Sequence, residues 1–282
     1  IYWKFVLIAG LLAFSFSSCE EASDAVDDTL GVNEGAEVAN QYNLGQAEVD
    51  NVIAYADNAM SRAGLGGRVA GIEEVFCASF SHNEEANEIV LDFGTDGCEG
   101  KDGHVRTGKV TINYIGVVEP VANNARTVIF DNYSVDGNIL DGTVAATKWE
   151  LDAQTGDFTS SLTATSMSYT FAEDGTTLTW TGAWERTISL TDNDFSTATY
   201  TLNGGSTGTT RDGNTFAANI TEPVSYTLSC LQSGIPYATS GERNIGVDAD
   251  IPITIVINYG SGNCDKDIEL TVNGRTSTHT LP

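Results

Sequence analysis

The chain has 282 residues, and its 39 acidic and 13 basic residues give a formal net charge of −26. A field of that sign repels polyanions, so the composition argues against nucleic acid as a partner. The charge is concentrated near the beginning, because residues 20–100 hold 18 acidic residues and two basic ones.

The first element is an uncharged apolar run, Phe5–Phe16, which follows Lys4. It is shorter than the roughly 20 residues of a membrane-spanning helix and is typical of a secretory signal, predicted here over residues 1–18. The run ends in Phe16-Ser17-Ser18-Cys19, which resembles a bacterial lipobox. This resemblance implies that Cys19 is lipidated and anchors the mature chain to a membrane. The alternative is a soluble secreted protein in which Cys19 is an ordinary thiol.

Residues 19–45 are predicted to form an acidic tether, because acid-rich segments of low hydrophobicity do not fold. The acidic residues cluster at its start, at Glu20, Glu21, Asp24, Asp27 and Asp28. Such a cluster resembles the surface-export signal of Bacteroidetes lipoproteins. That resemblance implies an outer-membrane protein displayed on the cell surface, whereas the plainer alternative is a solvated linker.

A short amphipathic helix is predicted from Gln46 to Gly64. Its apolar residues recur at the spacing of one helical face, at Val49, Val52, Ile53, Ala56 and Met60. Glycines at 64, 66 and 67 end the pattern. A stripe of this kind has to be buried, so we expect the helix to pack on the sheet that follows.

From Glu74 onward the pattern changes to an alternation of apolar and polar residues. In Thr177–Leu190, one face carries Leu178, Trp180, Trp184, Ile188 and Leu190, which is typical of a half-buried antiparallel strand. Asp174-Gly175 is a favoured hairpin turn and predicts Ser160–Phe171 as the partner strand.

Residues 46–282 are therefore predicted to form a single all-β domain of about twelve strands, preceded by its helix. The fold class is mostly β, with one large antiparallel sheet. The strands near 160–190 exceed the usual length of about five or six residues, which favours a curved sheet, a barrel or a half-barrel. The pattern alone does not choose among these three.

An internal repeat relates residues 88–109 to residues 254–275. Both copies have an apolar strand, then Asp or Asn, an aromatic residue, Gly, three turn residues, Cys and an acid. A Gly-basic pair follows ten residues after each cysteine. Each copy is also preceded by a cysteine that we place on a strand, Cys77 and Cys230.

The simplest interpretation of the cysteines is two local disulfides, Cys77–Cys98 and Cys230–Cys264. Assigning Cys19 to lipid leaves an even number, as an oxidising compartment favours. Four cysteines allow three pairings, and a zinc site is a further alternative, although the short Cys-x-x-Cys spacing is missing. Calcium at the acidic, glycine-rich loop 96–103 is a minor hypothesis, because its carboxylates do not follow the EF-hand spacing. No other cofactor is expected.

The lipobox, the helix and the repeat together resemble conserved hypothetical lipoproteins of Bacteroidetes and Flavobacteria. The resemblance covers most of the mature chain. It implies a location and a fold, and it implies no activity.

No catalytic residue is predicted, and we expect a protein that is not an enzyme. The three histidines, His82, His104 and His279, form no HExxH motif, and no Gly-x-Ser-x-Gly elbow or P-loop occurs. Among 39 acidic residues any pair could be nominated for glycoside hydrolysis, so the count supports none.

The candidate ligand-binding residues are aromatic: Trp180 and Trp184, four residues apart on one strand face, and Trp149 at a strand end. Exposed rings would provide a platform for a glycan, whereas buried rings would be core. The function expected is a surface-displayed, non-enzymatic lipoprotein that binds a glycan or an envelope protein. The alternative is a periplasm-facing carrier or scaffold that holds an apolar ligand on its curved sheet.

Overall fold

The computed structural model describes residues 31–64, 77–115, 125–147, 149–191 and 194–281. The predicted signal peptide, Cys19 and the first part of the predicted tether lie outside these ranges. The described part contains two helices and fourteen strands, with the following bounds: α1 Val32–Arg62, β1 Ser79–Asn83, β2 Glu88–Glu99, β3 Val105–Tyr114, β4 Arg126–Val135, β5 Asn138–Ala146, β6 Glu150–Leu151, β7 Phe158–Thr170, β8 Thr177–Thr191, β9 Asp194–Thr209, β10 Thr215–Thr227, α2 Leu228–Gln232, β11 Ser240–Asp248, β12 Ile253–Ser261, β13 Asp267–Val272 and β14 Arg275–Thr280.

All fourteen strands form one antiparallel sheet in which nearly every strand pairs with the next one along the chain. The short strand β6 is the exception, because it pairs with β7 beside the main path. The predicted hairpin is confirmed, with Thr170 of β7 opposite Thr177 of β8. Among the described strands, β1 and β14 do not pair. The sheet is therefore open, which answers the question that the sequence left between a closed barrel and a curved sheet.

A line of left-handed residues bends the sheet across four strands. Gly108, Asn132, Gly142 and Ser166 all have positive φ, and each lies at or next to a register shift between neighbouring strands. Such bulges increase the local twist and coiling of a sheet. At Gly108 a Cβ atom would lie 2.0 Å from the carbonyl oxygen of Asn132, so only glycine fits there.

The bent sheet wraps around α1, which is longer than predicted. The helix begins at Val32, so the prediction of a disordered tether is wrong for residues 32–45. Side chains from strands as far apart as β3 and β13 reach it, and every residue from 51 to 60 is buried. A helix enclosed in this way shows no single apolar stripe, which is why the periodicity revealed only its second half. Neither described helix is both long enough and apolar enough to span a bilayer.

The repeat corresponds to the same backbone turn, which lies within β2 and near the end of β12. Asp92 accepts a hydrogen bond from the backbone N–H of Gly94, and Asn258 accepts one from Gly260, at 2.9 and 2.8 Å. Both glycines have positive φ. The similarity does not extend further, because Gly108 lies within β3, whereas Gly274 lies in the turn between β13 and β14.

Both predicted cysteine pairs lie at disulfide-bonding distance, with Cα–Cα separations of 5.7 Å for Cys77–Cys98 and 5.3 Å for Cys230–Cys264. The strand placement is wrong for both Cys77 and Cys230, because Cys77 precedes β1 and Cys230 belongs to α2. Thr227 caps α2 by accepting a hydrogen bond from the backbone N–H of Cys230. The second disulfide therefore joins a helical turn to the loop that follows β12.

Candidate functional site: a polar groove along the central helix

The interior between α1 and the sheet contains charged residues. The four arginines Arg106, Arg126, Arg186 and Arg243 are at most 3% exposed and point from the sheet toward the helix. Buried charges are rare unless they are paired, and α1 supplies the acidic partners Glu48, Asp50 and Asp57. The helix is thus fixed in register by ion pairs as well as by apolar contacts.

Asp57 forms ion pairs with two arginines. Its carboxylate contacts Arg126 and lies 2.9 Å from Nη1 of Arg186. Burial lowers the pKa of Arg126, the charge of Arg186 lowers it further, and the charge of Asp57 opposes both effects. Removal of Asp57 would therefore leave two buried like charges facing each other.

Arg106 forms ion pairs with two carboxylates. Its Nε and Nη2 atoms donate to Glu48 at 2.9 and 3.1 Å, and its Nη1 and Nη2 atoms donate to Asp102 at 3.0 and 2.7 Å. Burial would raise the pKa of Asp102, but the hydrogen bonds and charge of Arg106 outweigh it and lower that pKa. Tyr133 also donates a hydrogen bond to Glu48.

A groove of about 830 Å³ runs along the N-terminal half of α1, on the side that the sheet leaves uncovered. We call it the helix groove. Its helix side is lined by Asn33, Ala36, Glu37, Asn40, Gln41 and Leu44, and its other side by residues of three hairpin turns, 136–138, 171–173 and 211. Amides and carboxylates dominate this lining. The side-chain oxygen of Gln41, behind this lining, is buried and has no hydrogen-bond partner among the described residues.

One wall of the helix groove is organised by Arg211. The guanidinium pairs with Glu37 of the helix at 3.3 Å and with Glu173 at 2.9 Å, and it also contacts Asp174. It lies 4.9 Å from the ring centroid of Phe171. These contacts link the β7–β8 and β9–β10 turns to the helix and hold the wall in place.

The helix groove continues into a second space of about 220 Å³, which we call the inner cavity. The two share Leu44, Asp136 and Asn138 as wall residues. The inner cavity is further lined by Glu48, Asn51, His104, Tyr169 and Tyr237. At its mouth, Nδ1 of His104 lies 2.6 Å from a carboxylate oxygen of Asp136, whose other oxygen accepts a bond from the N–H of Val105 at 2.9 Å.

A separate depression of about 780 Å³ lies on the outer face of the sheet over β7–β11. Most of its outward-facing side chains are Ser and Thr, and Asp248 is its one charged residue. Small hydroxyl groups offer few ways to fix the orientation of a ligand. The helix groove presents amides, carboxylates, a guanidinium and a ring together, so we regard it as the better candidate.

The tryptophans predicted to bind ligand are core residues. Trp180, Trp184 and Trp149 are 2%, 4% and 8% exposed, so they do not form a stacking platform. The physical reason is the close approach of α1 to β8, where a Cβ atom on Gly45 would lie 3.0 Å from the ring of Trp180. The alternation of β8 correctly identified a face, and that face is turned toward the helix.

The calcium hypothesis receives no support from the described residues. They contain no group of three or more His, Cys, Asp and Glu side chains that could hold a metal ion. Asp102, the most buried carboxylate of the loop 96–103, is already paired with Arg106.

Sequence reasoning missed the four buried arginines, although the signal was present. Arg186 occupies the same alternating face of β8 as Trp184 and Ile188, and all three side chains are buried. A basic residue on an apolar face predicts a buried acidic partner. The groove residues Gln41, Asp136 and Arg211 gave no such signal, because only the folded sheet brings them together.

Comparisons of the chain with protein-family models, curated proteins and solved structures found no match.

Proposed function

We propose that this protein is a lipid-anchored component of the cell envelope that binds a glycan in the helix groove, without catalysing a reaction. The sequence motifs support a place at the surface of the outer membrane. The observation that carries the binding proposal is the chemistry of the groove, whose amides and carboxylates match the hydroxyl groups of a sugar. The unpaired oxygen of Gln41 adds a buried acceptor.

The carrier alternative has less support, because α1 occupies the concave face of the sheet. An apolar ligand held there would have to displace a helix whose Glu48 and Asp57 are ion-paired to the sheet. The other candidate partner is an envelope protein. It would bind this chain in the absence of any glycan, so the binding experiment distinguishes the two partners.

Replacement of Asn40 by alanine tests the groove. Asn40 lines the helix groove, and loss of one hydrogen bond to a ligand costs about 0.5–1.5 kcal/mol. We therefore expect binding of the best ligand from a glycan array to weaken by roughly 2- to 10-fold, measured by titration calorimetry. The matched control is Asn203→Ala on the exposed outer face of β9, for which affinity should not change. Equal affinities for both variants would place the binding site elsewhere, and an array without any ligand would refute glycan binding.

Replacement of Cys19 by serine tests the anchor. Acyl chains contribute about 0.8 kcal/mol per buried methylene, so loss of the lipidated residue should move the protein from the membrane fraction to the soluble fraction. Incorporation of labelled fatty acid should disappear in parallel, whereas Ser23→Ala should change neither result. Protease treatment of intact cells then tests surface display. Cutting only after the envelope is opened would place the protein in the periplasm and favour the carrier alternative.

A further inference from the structure

The inner cavity combines apolar wall residues with polar groups, among which hydrogen-bond acceptors are prominent. Glu48 and Asp136 contribute carboxylates, and the amide group of Asn51 and the rings of Tyr169 and Tyr237 complete much of the wall. Beyond Asn51 and Tyr237 lies a chamber of about 20 Å³, which shares these residues with the cavity. There the side-chain oxygen of Gln46 is buried and has no partner among the described residues. A ligand that supplies donors can pair with the acceptors among these groups.

The cavity is also electronegative. Arg106 directs its guanidinium to Glu48 and Asp102, so one positive charge faces two negative ones. Asp136 adds a third carboxylate at the mouth, next to His104. In the small chamber Arg243 lies near Asp50, whose pKa burial raises to about 6 while the charge of Arg243 lowers it. Two carboxylates, Glu48 and Asp136, thus line the cavity proper. Glu48 shares the guanidinium of Arg106 with Asp102, and Asp136 pairs with the ring of His104.

The pKa values of Tyr169 and Tyr237 are sensitive to these nearby charges. Burial raises the pKa of both Tyr169 and Tyr237, and in each case the charge of Glu48 is the next largest contribution and raises the pKa further. A cation placed next to the carboxylates of Glu48 and Asp136 would meet a favourable potential.

We infer that the inner cavity binds an ammonium group, so that the glycan of the proposed function, on which this inference rests, is an amino sugar. A protonated amine has three donors and one positive charge, which matches a wall of carboxylate, amide and tyrosine oxygens. Sugars that carry a carboxylate are disfavoured, because like charges would face each other across the cavity. The sugar ring and its neighbours occupy the helix groove, whose amides bind their hydroxyl groups.

Three β-1,4-linked oligosaccharides of equal length test the inference, because they differ only at the second carbon of each ring. Oligomers of glucosamine, N-acetylglucosamine and glucose carry an amine, an acetamide and a hydroxyl group there. In mildly acidic buffer, which protonates the amine, we expect calorimetry to show the glucosamine oligomer binding at least about tenfold more tightly than the other two.

The replacement Asp136→Asn then assigns the preference to the cavity. Asparagine keeps the acceptor for the N–H of Val105 and tolerates the positive φ of this position, so the fold should be retained. Affinity for the glucosamine oligomer should fall roughly fivefold or more, with no change for the N-acetylated oligomer. Asp141→Asn, which removes the same charge from an exposed position of β5, is the matched control and should leave both affinities unchanged.

Equal binding of the three oligomers would overturn the inference and leave glycan binding intact. A preference for the amine that survives Asp136→Asn, or that falls equally with Asp141→Asn, would overturn its assignment to the inner cavity. Failure of all three to bind would also overturn the inference, and the glycan array would then decide separately whether the proposed function stands.

Discussion

Replacing Asp57 by asparagine should lower the free energy of unfolding by about 3–5 kcal/mol, because it leaves two buried guanidinium groups without a carboxylate. Asp57 is 1% exposed, and its partners Arg126 and Arg186 are 3% and 0% exposed. Neither arginine can reach water without moving the strand that carries it. Urea denaturation followed by tryptophan fluorescence measures the loss directly, since three tryptophans lie in the same core.

Two further variants separate the charge from the volume of the side chain. Asp250→Asn makes the same change at an exposed position and should stay within about 0.5 kcal/mol of the parent protein. Combining Asp57→Leu with Arg126→Met and Arg186→Met removes all three charges and should recover most of the lost stability, because apolar residues of similar size can replace a buried ionic cluster. A single Asp57→Asn variant as stable as its parent would show that these ion pairs do not hold α1 in place.

Removal of the disulfides should produce the second large effect. The bridges Cys77–Cys98 and Cys230–Cys264 span 21 and 34 residues, for which the loss of loop entropy in the unfolded chain predicts about 3 and about 4 kcal/mol. We expect the double replacement Cys230→Ser with Cys264→Ser to lower the urea midpoint more than the same change at Cys77 and Cys98. Reductant should lower the midpoint of the parent protein by at least as much as either variant. An unchanged midpoint in reductant would contradict the presence of the bridges.

The features that sequence patterns captured are those that repeat locally. Alternation placed β7 and β8 and identified Trp180 and Trp184 as members of one face, because a strand presents every second residue to the same side. The cysteine spacing likewise paired Cys77 with Cys98, because both lie near the same β1–β2 hairpin.

The other features arise because the sheet encloses α1. A pattern within one short segment of sequence cannot indicate that arrangement. The N-terminal half of α1 contains polar residues such as Gln41 and Asn43, which in the sequence resemble a tether and in the fold are buried. The direction in which the apolar face of β8 points, toward the helix and away from solvent, follows from the curvature of the whole sheet. The helix groove is built by turns that lie more than 70 residues beyond the end of α1 in the chain, so its residues could not be associated in advance.

The connectivity of the sheet also sets the order in which the molecule can assemble. Adjacent strands are adjacent in the chain, so each hairpin closes a short loop and the sheet can grow one strand at a time. The helix comes first along the chain, yet Asp57 meets its second arginine only when β8 is in place. Glu48 meets its arginine on β3, whereas Asp57 has both of its partners only once β8 is in place, so the two parts of the helix are fixed at different stages in the growth of the sheet.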